Sequence, residues 1–70
     1  MHIFNQVTVL LLQNKSDCLA CIEQLPQVQA SGETFAQAKE NLMMELKRYE
    51  KQTYSTYTIV EFKYQNASFF

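Results

Sequence analysis

Hydrophobic positions change their period along this chain, and the changes predict its elements. From Ile3 to Gln13 the centre is apolar at successive positions. In an extended strand Val7, Val9 and Leu11 fall on one face, and Leu10 and Leu12 on the other. A strand apolar on both faces wants cover on both sides. Asn14-Lys15-Ser16-Asp17 is a polar cluster of turn formers and predicts a hairpin into a second strand, about Cys18 to Gln24. Pro26 has no N–H to give a central strand, so that strand stops before Leu25-Pro26. Val28-Gln29-Ala30 reads as a brief third extended piece. Gly32, the only glycine, is the residue expected to take a positive φ there.

The period lengthens at Thr34. Phe35, Ala38, Leu42, Leu46 and Tyr49 recur at helical spacing and predict a helix over Thr34 to Lys51. Thr34 and Gln37 form a capping box, with Thr34 accepting from the Gln37 N–H and Gln37 reaching back to the Thr34 N–H. Such a helix is ~27 Å long, enough to lie across a small sheet. A last strand, about Tyr57 to Gln65, places Thr58, Val60, Phe62 and Tyr64 on one face. Tyr57, Ile59, Glu61 and Lys63 take the other.

The fold class is therefore α+β, in the order β-β-β-α-β. One small antiparallel or mixed sheet carries a single helix on one face, as one domain over residues 1–70. One helix covers one sheet face. The other keeps large aliphatic groups from the first strand, Leu10 and Leu12 or, in the opposite register, Val7, Val9 and Leu11, joined by part of the last, Tyr57 and Ile59 or Val60 and Phe62. Leu10, Leu12, Tyr57 and Ile59 are the candidate protein-binding residues on this argument, and a homodimer or higher homo-oligomer is the expected cover. Met43 and Met44 flank the helical stripe. Either they widen its buried face or they meet a partner, a use that suits the adaptable methionine side chain.

Composition sharpens the picture in two respects. A 70-residue chain buries only about 60% of the surface its unfolded form exposes, so its core is marginal and self-association helps. Net charge is −1, whereas nucleic-acid binding rests on Lys and Arg neutralising phosphates. The densest basic group, Lys39, Lys47, Arg48 and Lys51, is interleaved with Glu40, Glu45 and Glu50. That is the pattern of a solvated helix face rather than a phosphate footprint. No run approaches the ~20 apolar residues of a membrane span. Val7 to Leu12 is too short for a signal-peptide core, and neither Lys nor Arg precedes it. A cytoplasmic protein with no membrane partner is expected.

Chemistry is sparse. Cys18-x-x-Cys21 is one pair, where a structural zinc site needs four ligands. A thioredoxin-like site needs its pair at a helix N-terminus. These cysteines fall in a predicted strand with side chains on opposite faces. His2 is terminal. The carboxylates Asp17, Glu23, Glu33, Glu40, Glu45, Glu50 and Glu61 include no pair spaced like a nuclease cluster, and one glycine cannot build a phosphate loop. The expectation is no enzyme, no cofactor and no metal. A redox protein using Cys18 and Cys21 is the minor alternative, beside a stand-alone structural or oligomerisation module.

Leu25-Pro26 followed by Gly32-Glu33-Thr34-Phe35-Ala36-Gln37-Ala38-Lys39-Glu40-Asn41-Leu42 resembles the HicB-like antitoxin family. That family has a partial ribonuclease-H-like fold with the element order given above, and the resemblance runs from about Ile3 to Tyr64. Gln27 stands where the family has Gly. The resemblance implies a non-catalytic protein that neutralises a small ribonuclease toxin by direct contact and forms dimers or tetramers. Full-length members add a C-terminal DNA-binding segment. None is read in these 70 residues, so no direct DNA binding is expected from this chain.

Overall fold

The computed structural model describes residues 5–66; Ile3 and His2 lie outside them. Its elements are β1 (Asn5–Gln13), β2 (Cys18–Ile22), β3 (Leu25–Gly32), α1 (Phe35–Thr53) and β4 (Tyr57–Asn66). The four strands form one sheet in the order β3-β2-β1-β4. β2 is antiparallel to both β1 and β3, and β4 runs parallel to β1. A parallel neighbour requires a crossover, and α1 supplies it, carrying the chain from one sheet edge to the other. The expected α+β class and β-β-β-α-β order hold, and the sheet is mixed.

The core lies between helix and sheet. Val7, Val9 and Leu11 of β1, Cys18, Ala20 and Ile22 of β2 and Val28 of β3 meet Ala38, Leu42 and Leu46 of α1. Phe35 and Tyr49 complete the predicted helical stripe, half-buried at its two ends. The helix lies over β3 and β2.

The hairpins differ from expectation at β2's far end. Glu23 N–H donates to Thr8 O (2.9 Å), and the Thr8 N–H donates to Gln24 Oε1 (2.9 Å). The strand therefore turns two residues early, with a side chain closing its last rung. β3 begins at Leu25 rather than Val28. Its pairing jumps from Cys21 beside Gln29 to Ile22 beside Leu25, which places Pro26 in an irregularity of an edge strand. There its missing N–H breaks no ladder bond.

Two helix-end details are corrected. Thr34 is the N-cap and accepts from Gln37 N–H at 3.1 Å, but Gln37 Oε1 accepts from Glu33 N–H (2.8 Å) instead of Thr34. Gly32 does not have a positive φ; Tyr54 does, at φ 54° and ψ 39°. The helix ends there because Tyr54 and Ser55 turn their N–H groups back to Glu50 O. A non-glycine residue in this conformation costs about 1–2 kcal/mol. Gly32 serves a different purpose. A Cβ on it would lie 2.7 Å from Ala38 N and 2.7 Å from Gln37 Cβ. Its lack of a side chain lets the first helical turn sit down on the end of β3.

The last strand is not a plain alternation. Val7 lies beside Ile59, but Thr8 lies beside Glu61, so Val60 is an inserted residue. A bulge of this kind shifts the phase by one. Tyr57, Ile59, Phe62 and Tyr64 consequently share the helix-facing side, and Glu61, Lys63 and Gln65 share the other. β4 lies at the sheet edge away from the strands the helix covers, so Phe62 and Tyr64 stay 46% and 61% exposed.

Candidate protein-binding surface

The sheet face turned away from α1 is uncovered among the described residues. Its composition follows from β1. Alternation sends Val7, Val9 and Leu11 into the core and leaves Leu10 and Leu12 on the outer face. Register then names their neighbours. Leu12 lies between Leu19 of β2 and Gln65 of β4; Leu10 lies between Cys21 and Lys63. Farther out, Ser31 flanks Leu19 and Gln29 flanks Cys21. Leu10, Leu12, Leu19 and Cys21 are all half-buried. They hide one another's flanks while their tips meet water. The result is an apolar centre with a polar rim: Gln29 and Ser31 on one side, Glu61, Lys63 and Gln65 on the other. Full cover of one leucine side chain stabilises by about 1.5–3 kcal/mol relative to full exposure, and these side chains have part of that still to gain.

The structure separates the six sequence-derived candidates. Leu10 and Leu12 form the patch. Tyr57 and Ile59 do not join them; they lie on the helix side, half-buried against the core. Tyr57 packs on Tyr49 with ring centroids 5.8 Å apart. The sequence left the phase of the last strand against the first undetermined, and pairing beside Asn5 and Val7 sets it. Met43 and Met44 sit on the helix layer, 40% and 56% exposed. They do not widen the buried stripe, and they do not border the open face. Leu19 and Cys21 were missed. Their signal was present in the alternation of strand two, where Cys18, Ala20 and Ile22 take the core side.

A second surface was also missed because it depends on the bulge. Phe62 and Tyr64 emerge beside α1, with Phe35 edge-on to Tyr64 at 5.3 Å. Lys39 Nζ lies 5.0 Å over the Phe62 ring and donates to the Tyr64 hydroxyl at 3.1 Å. This cation–π arrangement partly shields the two rings.

No reactive constellation is drawn together by the described residues. Cys18 is buried on the helix side and Cys21 is half-exposed on the open face; both are free thiols. Three residues along one strand span ~10 Å, beyond the ~7 Å limit for a disulfide. Burial pushes the Cys21 thiol up from its ordinary range, and the negative charge of Glu23 adds to the shift. A reactive thiolate needs the opposite environment. Among the described residues no three His, Cys, Asp or Glu side chains gather as a metal-binding group. No helix among them is long and apolar enough to cross a membrane. A hollow of about 280 Å³ beside Tyr49 is lined by Gln27, Val28, Glu45, Arg48 and Gln52. Its two charges already face each other at 3.4 Å.

No protein-family model, curated protein or solved structure matches this chain. The candidate surface therefore stands on its own geometry.

Proposed function

We propose that this chain is a non-catalytic, cytoplasmic protein-binding domain. In this reading it resembles an antitoxin of the HicB-like kind, works as a homodimer, and holds a small ribonuclease toxin by direct contact. The observation that carries the reading is the open sheet face. Three leucines and a cysteine at its centre are half-buried with none of the described residues packed over them, and a polar rim surrounds them. A contiguous apolar patch with a polar rim is the usual anatomy of a protein-binding site. The motif running from Leu25-Pro26 to Leu42 supplies the family side of the argument. A stand-alone oligomerisation module is the second reading, since the same face could cover only another copy.

The test uses tagged protein as bait in extracts of the native cell, with mass spectrometry of what is retained. Wild type is compared with a Leu10→Asp/Leu12→Asp variant, which places charges in the patch without touching the core. The wild-type protein is expected to retain a small ribonuclease, and the variant to retain at least about tenfold less of it, as for loss of central interface anchors. Retention of only the chain itself would favour the oligomerisation module. Equal retention by both baits would remove the open face from the account.

A further inference from the structure

The two edges of the sheet are not equivalent. β3 is blunted: Pro26 lacks an N–H, the strand's pairing is irregular beside it, and Asn41 Nδ2 holds the Ser31 carbonyl at 2.8 Å. These are devices that discourage pairing. Among the described residues after Val60, β4 has neither a proline nor a pairing irregularity, and its two charges, Glu61 and Lys63, are of opposite sign. Glu61–Asn66 run in unbroken register with Thr8–Gln13, and among the described residues no strand pairs with their outer edge. Two exposed aromatic residues, Phe62 and Tyr64, stand on that stretch.

We infer that β4 pairs antiparallel with β4 of a second copy, about a two-fold axis at Phe62, to make one continuous eight-stranded sheet. The inference rests on the self-association in the reading above and names its surface. Charge complementarity selects the register. A two-fold through an antiparallel pair must place one residue opposite itself. Centring on Glu61 sets two carboxylates face to face, and centring on Lys63 sets two ammonium groups face to face. Centring on Phe62 puts Glu61 opposite Lys63 of the second copy and Lys63 opposite its Glu61. Both pairs lie on the open face, where register with β1 places them. On the helix side the two Phe62 rings meet across the axis, and Val60 of each copy comes opposite Tyr64 of the other. Cross-strand opposite charges and aromatic pairs stabilise a ladder; directly opposed like charges destabilise it. The bulge at Val60 ends the regular ladder on each side. Edge pairing leaves Leu10, Leu12 and Leu19 free, so the dimer presents two open faces to other partners.

The experiment is a charge exchange read by sedimentation equilibrium. Glu61→Lys sets lysine against Lys63 of the second copy, and Lys63→Glu sets glutamate against Glu61. Each single variant is expected to dimerise roughly ten- to a hundredfold more weakly than wild type. An equimolar mixture of the two is expected to recover wild-type dimerisation, because every cross-strand pair then joins opposite charges. The combined Glu61→Lys/Lys63→Glu chain is expected to dimerise alone. Both side chains are exposed, and recovery in the mixture shows that the single variants are folded. A wild-type dimer that neither single variant weakens, or a mixture no tighter than its components, would overturn the edge pairing while leaving self-association intact. A monomeric wild type at micromolar concentration would remove both.

Discussion

Replacing Leu42 by alanine is expected to cost about 2–5 kcal/mol of folding stability. Leu42 is 1% exposed at the centre of the helical stripe, between Ala38 and Leu46, in a core it shares with Val9, Leu11, Ala20 and Ile22, all at 0% exposure. Truncation removes the transfer free energy of the lost groups and leaves a cavity that rigid strands cannot close. At about 0.05–0.15 kcal/mol per residue, a domain of this size has roughly 4–10 kcal/mol in total. The variant is therefore expected to lose a large share of its stability. Urea titration checks it: the midpoint should fall steeply for Leu42→Ala and hardly at all for Met44→Ala on the exposed helix surface. Equal midpoints for the two variants would contradict the packing described.

The second large effect is expected at Gly32. A methyl group there meets backbone atoms, Ala38 N at 2.7 Å and Gln37 C at 2.9 Å, as well as Gln37 Cβ. Flexible side-chain ends could move aside; a helix backbone held by its caps moves only as a unit. Lifting that turn strains the Thr34 O bond to Ala38 N–H and the Gln37 Oε1 bond to Glu33 N–H. Overpacking of this kind costs about 1–3 kcal/mol, and Gly32→Val should cost more than Gly32→Ala. The φ at Gly32 is not positive, so backbone preference adds nothing and the effect is steric. Thermal melts of the two variants check the order. An unchanged or raised melting temperature for Gly32→Ala would show that the helix is not seated as closely as the distances imply.

The fold was readable because its strongest signals are local and periodic. The stripe from Phe35 to Tyr49 demanded a helix, and the Thr34 cap fixed its start. The doubly apolar β1 called for cover on both faces, and α1 supplies it on one, where Val7, Val9 and Leu11 join the core. What escaped prediction was set by pairing between distant segments. The bulge at Val60 has no glycine to announce it; it exists because Thr8 pairs with Glu61 while Val7 pairs with Ile59. That shift moved Phe62 and Tyr64 to the helix side and left Tyr57 and Ile59 away from Leu10 and Leu12. The positive φ was expected at the only glycine, yet steric need took Gly32 and the helix terminus took Tyr54. The open face itself was legible from the ratio of one helix to two sheet faces. Its full membership, with Leu19 and Cys21, required the β1–β2 register.

Cys21 offers a direct measurement of whether that open face is covered in the cell. It lies beside Leu10 at the centre of the patch, half-exposed, while Cys18 is buried on the other side of the same strand. Burial and Glu23 raise its pKa, so alkylation should be run at alkaline pH with extended sampling times. Labelling of both cysteines would be followed by mass spectrometry in freshly lysed native cells and in dilute purified protein. A covered face predicts Cys21 labelling at least about tenfold slower in the lysate than in the purified protein, as expected when a partner excludes solvent from an interface centre, with Cys18 slow in both. Equal Cys21 rates in the two samples would contradict the claim that this face is a binding surface.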